Sequence, residues 1–206
     1  MNTNTDINNN STASIKKGAF LTEIEEIGRR ARQHIEARQP IEKNNGTPDG
    51  RCDLEIVTRL LNEALATELA CVLRYKCHHY MAKGSHSKNV AEEFLAHAAE
   101  EQRHADQIAT RIIQLNGKPN FNPEGALTRS HSEYVEGETL LDMIREDLIA
   151  KRIGIESYSE IIRYLGETDS TSRRMLEEIL AGEEEHAENI RDMLERIGSD
   201  EKQREN

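Results

Sequence analysis

A short pattern of residues occurs twice in this chain, at corresponding positions of a longer internal repeat. In each copy a glutamate is followed three residues later by a histidine, an alanine and an acidic residue: 101–106 reads EQRHAD, and 183–188 reads EEEHAE. In a helix, residues three apart lie on one face, so each copy directs a carboxylate and an imidazole toward the same point. This donor combination suits iron, manganese or zinc. Two copies predict a site for two metal ions.

Both copies fall on the apolar face of a predicted helix. Apolar residues recur at helical spacing on either side of each glutamate. They are Phe94, Ala98, Ala105, Ile108 and Ile112 around Glu101, and Leu176, Leu180, Ala187, Ile190 and Leu194 around Glu183. A carboxylate on a buried face needs a counter-charge or a bound metal. This setting, more than the residue types alone, indicates a metal site.

The repeat includes the helix that precedes each copy. Glu68 lies 33 residues before Glu101, and Lys151 lies 32 residues before Glu183. A tyrosine follows each of these single residues after seven positions. Each half of the chain is therefore predicted to be a helical hairpin, and the internal symmetry places Lys151 where a second single glutamate is expected.

Capping residues, glycines and prolines divide the chain into regions. We predict a polar, flexible tail over 1–17, an amphipathic helix over 18–40, a linker over 41–52, four long helices over 53–197, and a charged tail over 198–206. The tail at the start is too poor in apolar residues to offset the entropy lost on ordering.

The spacing of the four long helices predicts how they are connected. The first and second are joined by a short connection, as are the third and fourth, whereas residues 117–137 lack periodicity and exceed what a hairpin needs. This pattern predicts an all-α fold, a ferritin-like four-helix bundle with one long crossover, plus the N-terminal amphipathic helix. In such bundles two single glutamates and two ExxH pairs converge on a pair of metals, and five of those six groups are present here.

Composition and charge indicate which partners and which cellular compartment to expect. The formal net charge of −11 argues against binding nucleic acid through the outer surface and favours attracting cations. No apolar run approaches the roughly 20 residues needed to cross a bilayer, and the first residues lack a signal pattern, so we expect a cytoplasmic protein without membrane association. Cys52, Cys71 and Cys77 are odd in number and lack a CxxC pair, which argues against a disulfide framework or a zinc ribbon.

The stretch LLNEALATELACVLRY at 60–75 and both ExxH segments resemble the bacterioferritins and their relatives, over roughly 53–197. RARQHIE at 30–36 also looks like the N-terminal extension of a bacterioferritin-like subgroup. This resemblance implies a homo-oligomeric cage, expected to have 12 or 24 subunits. Such a cage binds iron ions, oxidises Fe(II) at a di-iron site with O₂ or peroxide, and stores ferric mineral inside.

The resemblance also implies roles for individual residues. By position, Tyr75 matches a tyrosine near the site, where it could donate an electron or serve as a packed core ring. Five residues match the metal ligands of the family: Glu68, Glu101, His104, Glu183 and His186.

Two departures from the family pattern affect the expected cofactors. Haem-binding members carry a methionine directly after the first ExxH glutamate, whereas this chain has Gln102, which predicts no haem. Lys151 stands at the sixth ligand position, and a protonated amine cannot ligate iron and repels a second Fe²⁺. Asp147, one turn earlier on the same face, or water is a candidate to complete the site.

These departures leave alternative hypotheses open. In the first, a ferroxidase-type di-metal site works with five ligands. In the second, Lys151 neutralises buried glutamates in a structural cage subunit without oxidase activity, or the protein binds one metal. The remaining histidines of the bundle lack a carboxylate at ligand spacing and are predicted to lie mostly at the surface: His78, His79, His86, His97 and His131.

Overall fold

The computed structural model describes residues 53–83 and 87–204, together with four isolated positions that are helical and exposed, Thr22, Glu26, Arg29 and Gln33. Apart from these four positions, the predicted tail over 1–17, amphipathic helix over 18–40 and linker over 41–52 lie outside the described residues. So does His86. The described residues form five helices and no strand: α1 Leu54–Met81, α2 Ser87–Gln114, α3 Ala126–Arg129, α4 Leu140–Leu165 and α5 Ser170–Arg204.

The four long helices pack as two hairpins. α1 packs most extensively on α2, and α4 packs most extensively on α5. The crossover between the hairpins contains only the short α3. This arrangement confirms the predicted all-α, ferritin-like four-helix bundle. Among the described residues, no helix combines the length and the apolar character needed to cross a membrane.

Side chains at the helix ends account for where the helices begin. The Asp53 carboxylate accepts hydrogen bonds from the backbone amides of residues 55 and 56 at the start of α1. The start of α4 has a capping box between Thr139 and Asp142. Asp169 accepts from the backbone N of Ser172 at 3.0 Å and so caps α5. At its other end, α5 continues to Arg204, so the charged residues predicted as a tail from 198 are helical as far as that residue.

The crossover lies along α1 and is fastened to it by hydrogen bonds. Asn62 accepts from the backbone N of Asn120 at 2.7 Å, and Thr67 accepts from the backbone N of His131 at 2.8 Å. Further along, Arg74 donates to the backbone oxygen of residue 133 at 2.8 Å. These bonds pair backbone groups that a long connection would otherwise bury without partners.

The apolar core is divided into two clusters by a buried polar layer. One cluster contains Tyr75, Phe94, Ile144, Leu148, Ile190 and Leu194, and the other contains Leu61, Leu65, Ile108, Ile112, Ile161 and Leu176. Between them lie Glu68, Glu101, Lys151 and Glu183, each at most 3 % exposed. Charged groups at this depth must neutralise one another or bind an ion.

Three histidines predicted to lie at the surface are buried instead. His78 is 0 % exposed, and His97 and His131 are each 3 % exposed. His78 contacts Asp147 of α4, His97 stacks on the ring of His186 from α5, and His131 is part of the crossover. The prediction was wrong because their partners come from other elements, which spacing within one helix does not reveal.

Candidate metal centre

All four long helices contribute side chains to the polar layer. The structure brings the five predicted ligands together with Lys151: Glu68 from α1, Glu101 and His104 from α2, Lys151 from α4, and Glu183 and His186 from α5. Every one of these residues is at most 8 % exposed. Their convergence follows from the two hairpins, because each ExxH pair and each single residue of the repeat lies near the middle of its helix.

Four of the predicted ligands can meet at a single ion. Glu68, Glu101, His104 and Glu183 each offer a ligand atom, and these atoms all lie within 4.8 Å of one another. We call these residues the four-ligand group. Within the described part of the chain, each has a buried atom without a hydrogen-bond partner: Glu68 Oε2, Glu101 Oε2, His104 Nδ1 and Glu183 Oε1. His104 Nδ1 contacts Glu183 Oε1 and Glu68 Oε2 only at ion-pair distances of 3.3 and 3.5 Å, and Glu101 Oε2 has no hydrogen-bond or ion-pair partner among the described residues. Buried polar atoms rarely stay without hydrogen bonds, and a cation would satisfy all four.

Lys151 binds two carboxylates of the four-ligand group, those of Glu101 and Glu183. Its Nζ lies 2.5 Å from Glu101 Oε1 and 2.7 Å from Glu183 Oε2. Burial alone would lower the pKa of Lys151, but the charges of Glu101 and Glu183 hold this pKa well above its usual value. Burial would likewise raise the pKa of Glu101, whereas Lys151 lowers it. Lys151 is therefore an ammonium ion in the centre of the bundle.

The formal charges of the centre match a single divalent cation. The carboxylates of Glu68, Glu101 and Glu183 and the ammonium of Lys151 leave a formal charge of −2. A fourth carboxylate in place of Lys151 would make this charge −4, which two divalent cations neutralise. The residue at position 151 thus determines how many divalent cations are needed to neutralise the formal charge of the site.

Protons occupy part of the four-ligand group when it holds no cation. Burial, and then the charges of Glu101 and Glu183, raise the pKa of Glu68 to about 8. Burial would lower the pKa of His104, but the carboxylates of Glu183 and Glu68, 3.3 and 3.5 Å from its Nδ1, raise it to about 10. A metal binds the deprotonated forms, so a cation must displace these protons.

His186 lies beside the centre but outside the four-ligand group. Its Nδ1 lies 3.7 Å from Glu101 Oε1 and 4.0 Å from Glu183 Oε1, and this nitrogen has no hydrogen-bond partner within the described residues. Its Nε2 contacts the carboxylate of Glu100, whose side chain is 37 % exposed. Glu100 was not predicted as part of the site, because it precedes Glu101 and points off the apolar face.

Two tyrosines from opposite hairpins reach the centre. The Tyr158 hydroxyl of α4 donates to Glu68 Oε1. The centroid of the Tyr75 ring of α1 lies 5.7 Å from Lys151 Nζ. The Tyr75 hydroxyl has no hydrogen-bond partner among the described residues. Sequence reasoning named Tyr75 and overlooked Tyr158, although the same seven-residue spacing in the second half of the repeat pointed to it.

Asp147 and Gln102 both have partners outside the centre. Asp147 does not join the ligands, because its two oxygens bind Arg74 Nε at 3.1 Å and His78 Nδ1 at 2.8 Å. It supplies the counter-charge for Arg74, which is buried on α1, and cannot also replace the missing sixth ligand. Gln102 is exposed on α2 and donates to Asp106 at 3.0 Å.

Four long helices with one crossover, enclosing a layer of carboxylates and imidazoles, define a ferritin-like bundle protein. The chain belongs to the ferritin family as a bacterioferritin-like member, because the family model for the ferritin-like domain matches residues 58–199 and bacterioferritins align over most of their length. The bacterioferritin of Mycobacterium leprae, for example, is 34% identical over 143 residues, which are 69% of this chain and 86% of that protein.

Solved structures agree with this assignment. A bacterioferritin-related protein from Bacteroides fragilis, described as a dodecameric thioferritin, superposes with a TM-score of 0.71 at 29% identity, covering 75% of this chain and 94% of that one. The Desulfovibrio desulfuricans bacterioferritin, described with a diiron site in different catalytic states, gives a TM-score of 0.63 at 26% identity, covering 71% of this chain and 82% of that one.

Proposed function

We propose that this protein is a subunit of an iron-storage cage and that each chain binds one Fe(II) in the four-ligand group. Each bound Fe(II) gives up one electron, so two chains together reduce one O₂ to peroxide or one peroxide to water, and the ferric product is stored in the cage interior. The position of Lys151, whose Nζ binds both Glu101 and Glu183, is the observation that carries the one-metal assignment.

Iron is the substrate that the centre and its relatives favour. Three carboxylates and one imidazole are donors that suit iron, with manganese and zinc as competitors. Bacterioferritins are the relatives that match along the bundle. The unpaired atoms of the four-ligand group support a bound cation there over a centre that is complete without one.

The ammonium ion of Lys151 limits the site to one metal. It lies within hydrogen-bonding distance of the two carboxylates that a second metal would share with the first. It has no lone pair to offer, and it repels a neighbouring divalent cation. A single Fe(II) supplies one electron when it is oxidised, whereas a pair supplies two. We therefore expect slower oxidation than at a site with six ligands.

A second candidate function is that of a structural cage subunit without oxidase activity. The two ion pairs of Lys151 favour it, because they neutralise Glu101 and Glu183 without a metal. Glu68 and His104 then remain as a buried ion pair, with Glu68 Oε2 3.5 Å from His104 Nδ1. In this case the chain would bind no Fe(II) at micromolar concentration.

We propose a hollow homo-oligomer of 12 or 24 subunits as the assembled form. Support comes from the fold and from the Bacteroides fragilis relative, which is described as dodecameric. Light scattering at micromolar concentration should give the mass of such a shell. A monomer or a simple dimer would contradict the cage.

Anaerobic titration with Fe²⁺ tests the proposed function directly. The wild type should bind one ion per chain in the bundle, Lys151→Glu should bind two, and oxidation should be faster in Lys151→Glu. Lys151→Met is the control, since it removes the charge without adding a carboxylate, and it should still bind one. Two tightly bound ions in the wild type would refute the one-metal assignment, and none would favour the structural cage subunit.

A further inference from the structure

We infer that Tyr158 is the positioning residue for Glu68 and that Tyr75 lacks the equivalent role because Lys151 offers its hydroxyl no acceptor. The inference deepens the proposed one-metal site and rests on it. It assigns a large effect on metal binding to Tyr158 and almost none to Tyr75, although the two tyrosines are similarly buried.

The two tyrosines are related by the internal repeat. Tyr75 follows Glu68 on α1 by seven residues, and Tyr158 follows Lys151 on α4 by seven residues. Seven residues are about two turns of a helix, so each tyrosine stays on the face of its helix that points into the centre. Each then reaches across the bundle to the single residue of the other helix: Tyr158 contacts Glu68, and the Tyr75 ring faces Lys151.

The hydrogen bond from Tyr158 gives the two oxygens of the Glu68 carboxylate different roles. Oε1 accepts from the Tyr158 hydroxyl, while Oε2 has no hydrogen-bond partner among the described residues and lies 3.5 Å from His104 Nδ1. Tyr158 thus fixes the rotation of the carboxylate and leaves one oxygen for the cation. Partners of this kind orient metal ligands, and their loss typically weakens metal binding by about 10–100-fold.

Tyr75 shows what happens when the acceptor is missing. Its hydroxyl is buried, and within the described residues it has no hydrogen-bond partner. A glutamate at position 151 would offer that hydroxyl a carboxylate oxygen, in the way that Glu68 does for Tyr158. A protonated lysine has donors and no acceptor. The unpaired hydroxyl of Tyr75 is therefore a consequence of the residue at position 151.

Titration with Co²⁺, followed through its visible absorbance, compares the two tyrosines. Tyr158→Phe should weaken Co²⁺ binding about tenfold or more and change the shape of the absorption band, because Glu68 is no longer held in one orientation. Tyr75→Phe should change the affinity by less than about twofold. Tyr80→Phe, at a side chain that is 80 % exposed, is the neutral control. Unchanged affinity and band shape in Tyr158→Phe, or equal losses in Tyr158→Phe and Tyr75→Phe, would overturn the inference.

A second comparison does not depend on how well Tyr158→Phe folds. In a Lys151→Glu background the Tyr75 hydroxyl regains an acceptor, so adding Tyr75→Phe should now weaken the second Co²⁺ site about tenfold. If Tyr75→Phe has no effect in that background, the tyrosines do not position the single glutamates. A wild type that binds no Co²⁺ refutes the proposed function, whereas one bound Co²⁺ with an unaffected Tyr158→Phe refutes only this inference.

Discussion

The Nζ of Lys151 lies 2.5 Å from Glu101 Oε1, and both side chains are 1 % exposed. This ion pair joins the third long helix of the bundle to the second at the depth where a metal is expected. Removing one partner of such a pair leaves an uncompensated buried charge, which is far more destabilising than the pair itself is stabilising. The pair therefore links the proposed metal site to the stability of the protein.

Lys151→Glu should destabilise the metal-free protein by about 3–5 kcal/mol, because it replaces the buried counter-charge with a further carboxylate. Added Zn²⁺ should recover most of that loss, since binding to the folded state alone stabilises it. Thermal unfolding in the presence of a chelator and then of Zn²⁺ measures both effects. An equal unfolding midpoint for wild type and variant under chelation would mean that the ion pair contributes little.

The two ExxH histidines should differ in their importance for metal binding. His104 belongs to the four-ligand group and His186 does not. His104→Ala should weaken Co²⁺ binding at least about tenfold, or about 1.4 kcal/mol, whereas His186→Ala should stay within about threefold of wild type. Competition with a coloured chelator measures both affinities. A His186→Ala variant as weak as His104→Ala would place the metal between both histidines.

The cap of α5 should contribute stability that depends on pH. Burial alone would raise the pKa of Asp169, but hydrogen bonds from Ser172 and the charge of Arg111 hold it below its usual value of 3.8. Asp169→Ala should lower the stability by about 1 kcal/mol near pH 7. Because the folded-state pKa is depressed, the stabilisation by the charge is complete above pH 3.8 and is lost as the pH falls through the folded-state value.

The matched control for this cap is Asp169→Asn. Asparagine still accepts from the backbone N of Ser172 but loses the charge that pairs with Arg111 at 2.9 Å. The difference between wild type and Asp169→Asn in chemical denaturation should therefore shrink as the pH is lowered through the folded-state pKa. A difference that grows on acidification would contradict the depressed pKa.

The purified protein should carry no haem. Gln102 occupies the position where haem-binding relatives have methionine, and its exposed amide donates to Asp106. Absorbance after expression with excess haem measures this directly. A Soret band that is lost on mutating Met81, Met143, Met175 or Met193 would identify a different axial ligand.

Periodicity and the internal repeat were sufficient to predict the fold and to predict that the candidate ligands lie close together. The seven-residue and three-residue spacings put Glu68, Glu101 and Glu183 on buried faces, and single-crossover connectivity put those faces together. Periodicity could not identify partners on other helices. Asp147 appeared suited to complete the metal site, yet it binds Arg74 and His78 of α1. The hydrogen bond between Tyr158 and Glu68 likewise spans 90 residues of sequence.

The polar layer between the two apolar clusters also determines how the helices align along their axes. Two helices that meet only through apolar side chains could slide past each other by one turn with modest repacking, because the contacts after the shift would again be apolar. A shift of one turn would separate Lys151 from Glu101 and Glu183 and leave three charges unpaired in the interior. Helix register and the proposed metal site thus depend on the same few side chains, so a variant that loses the charges of the layer should also align its helices less precisely.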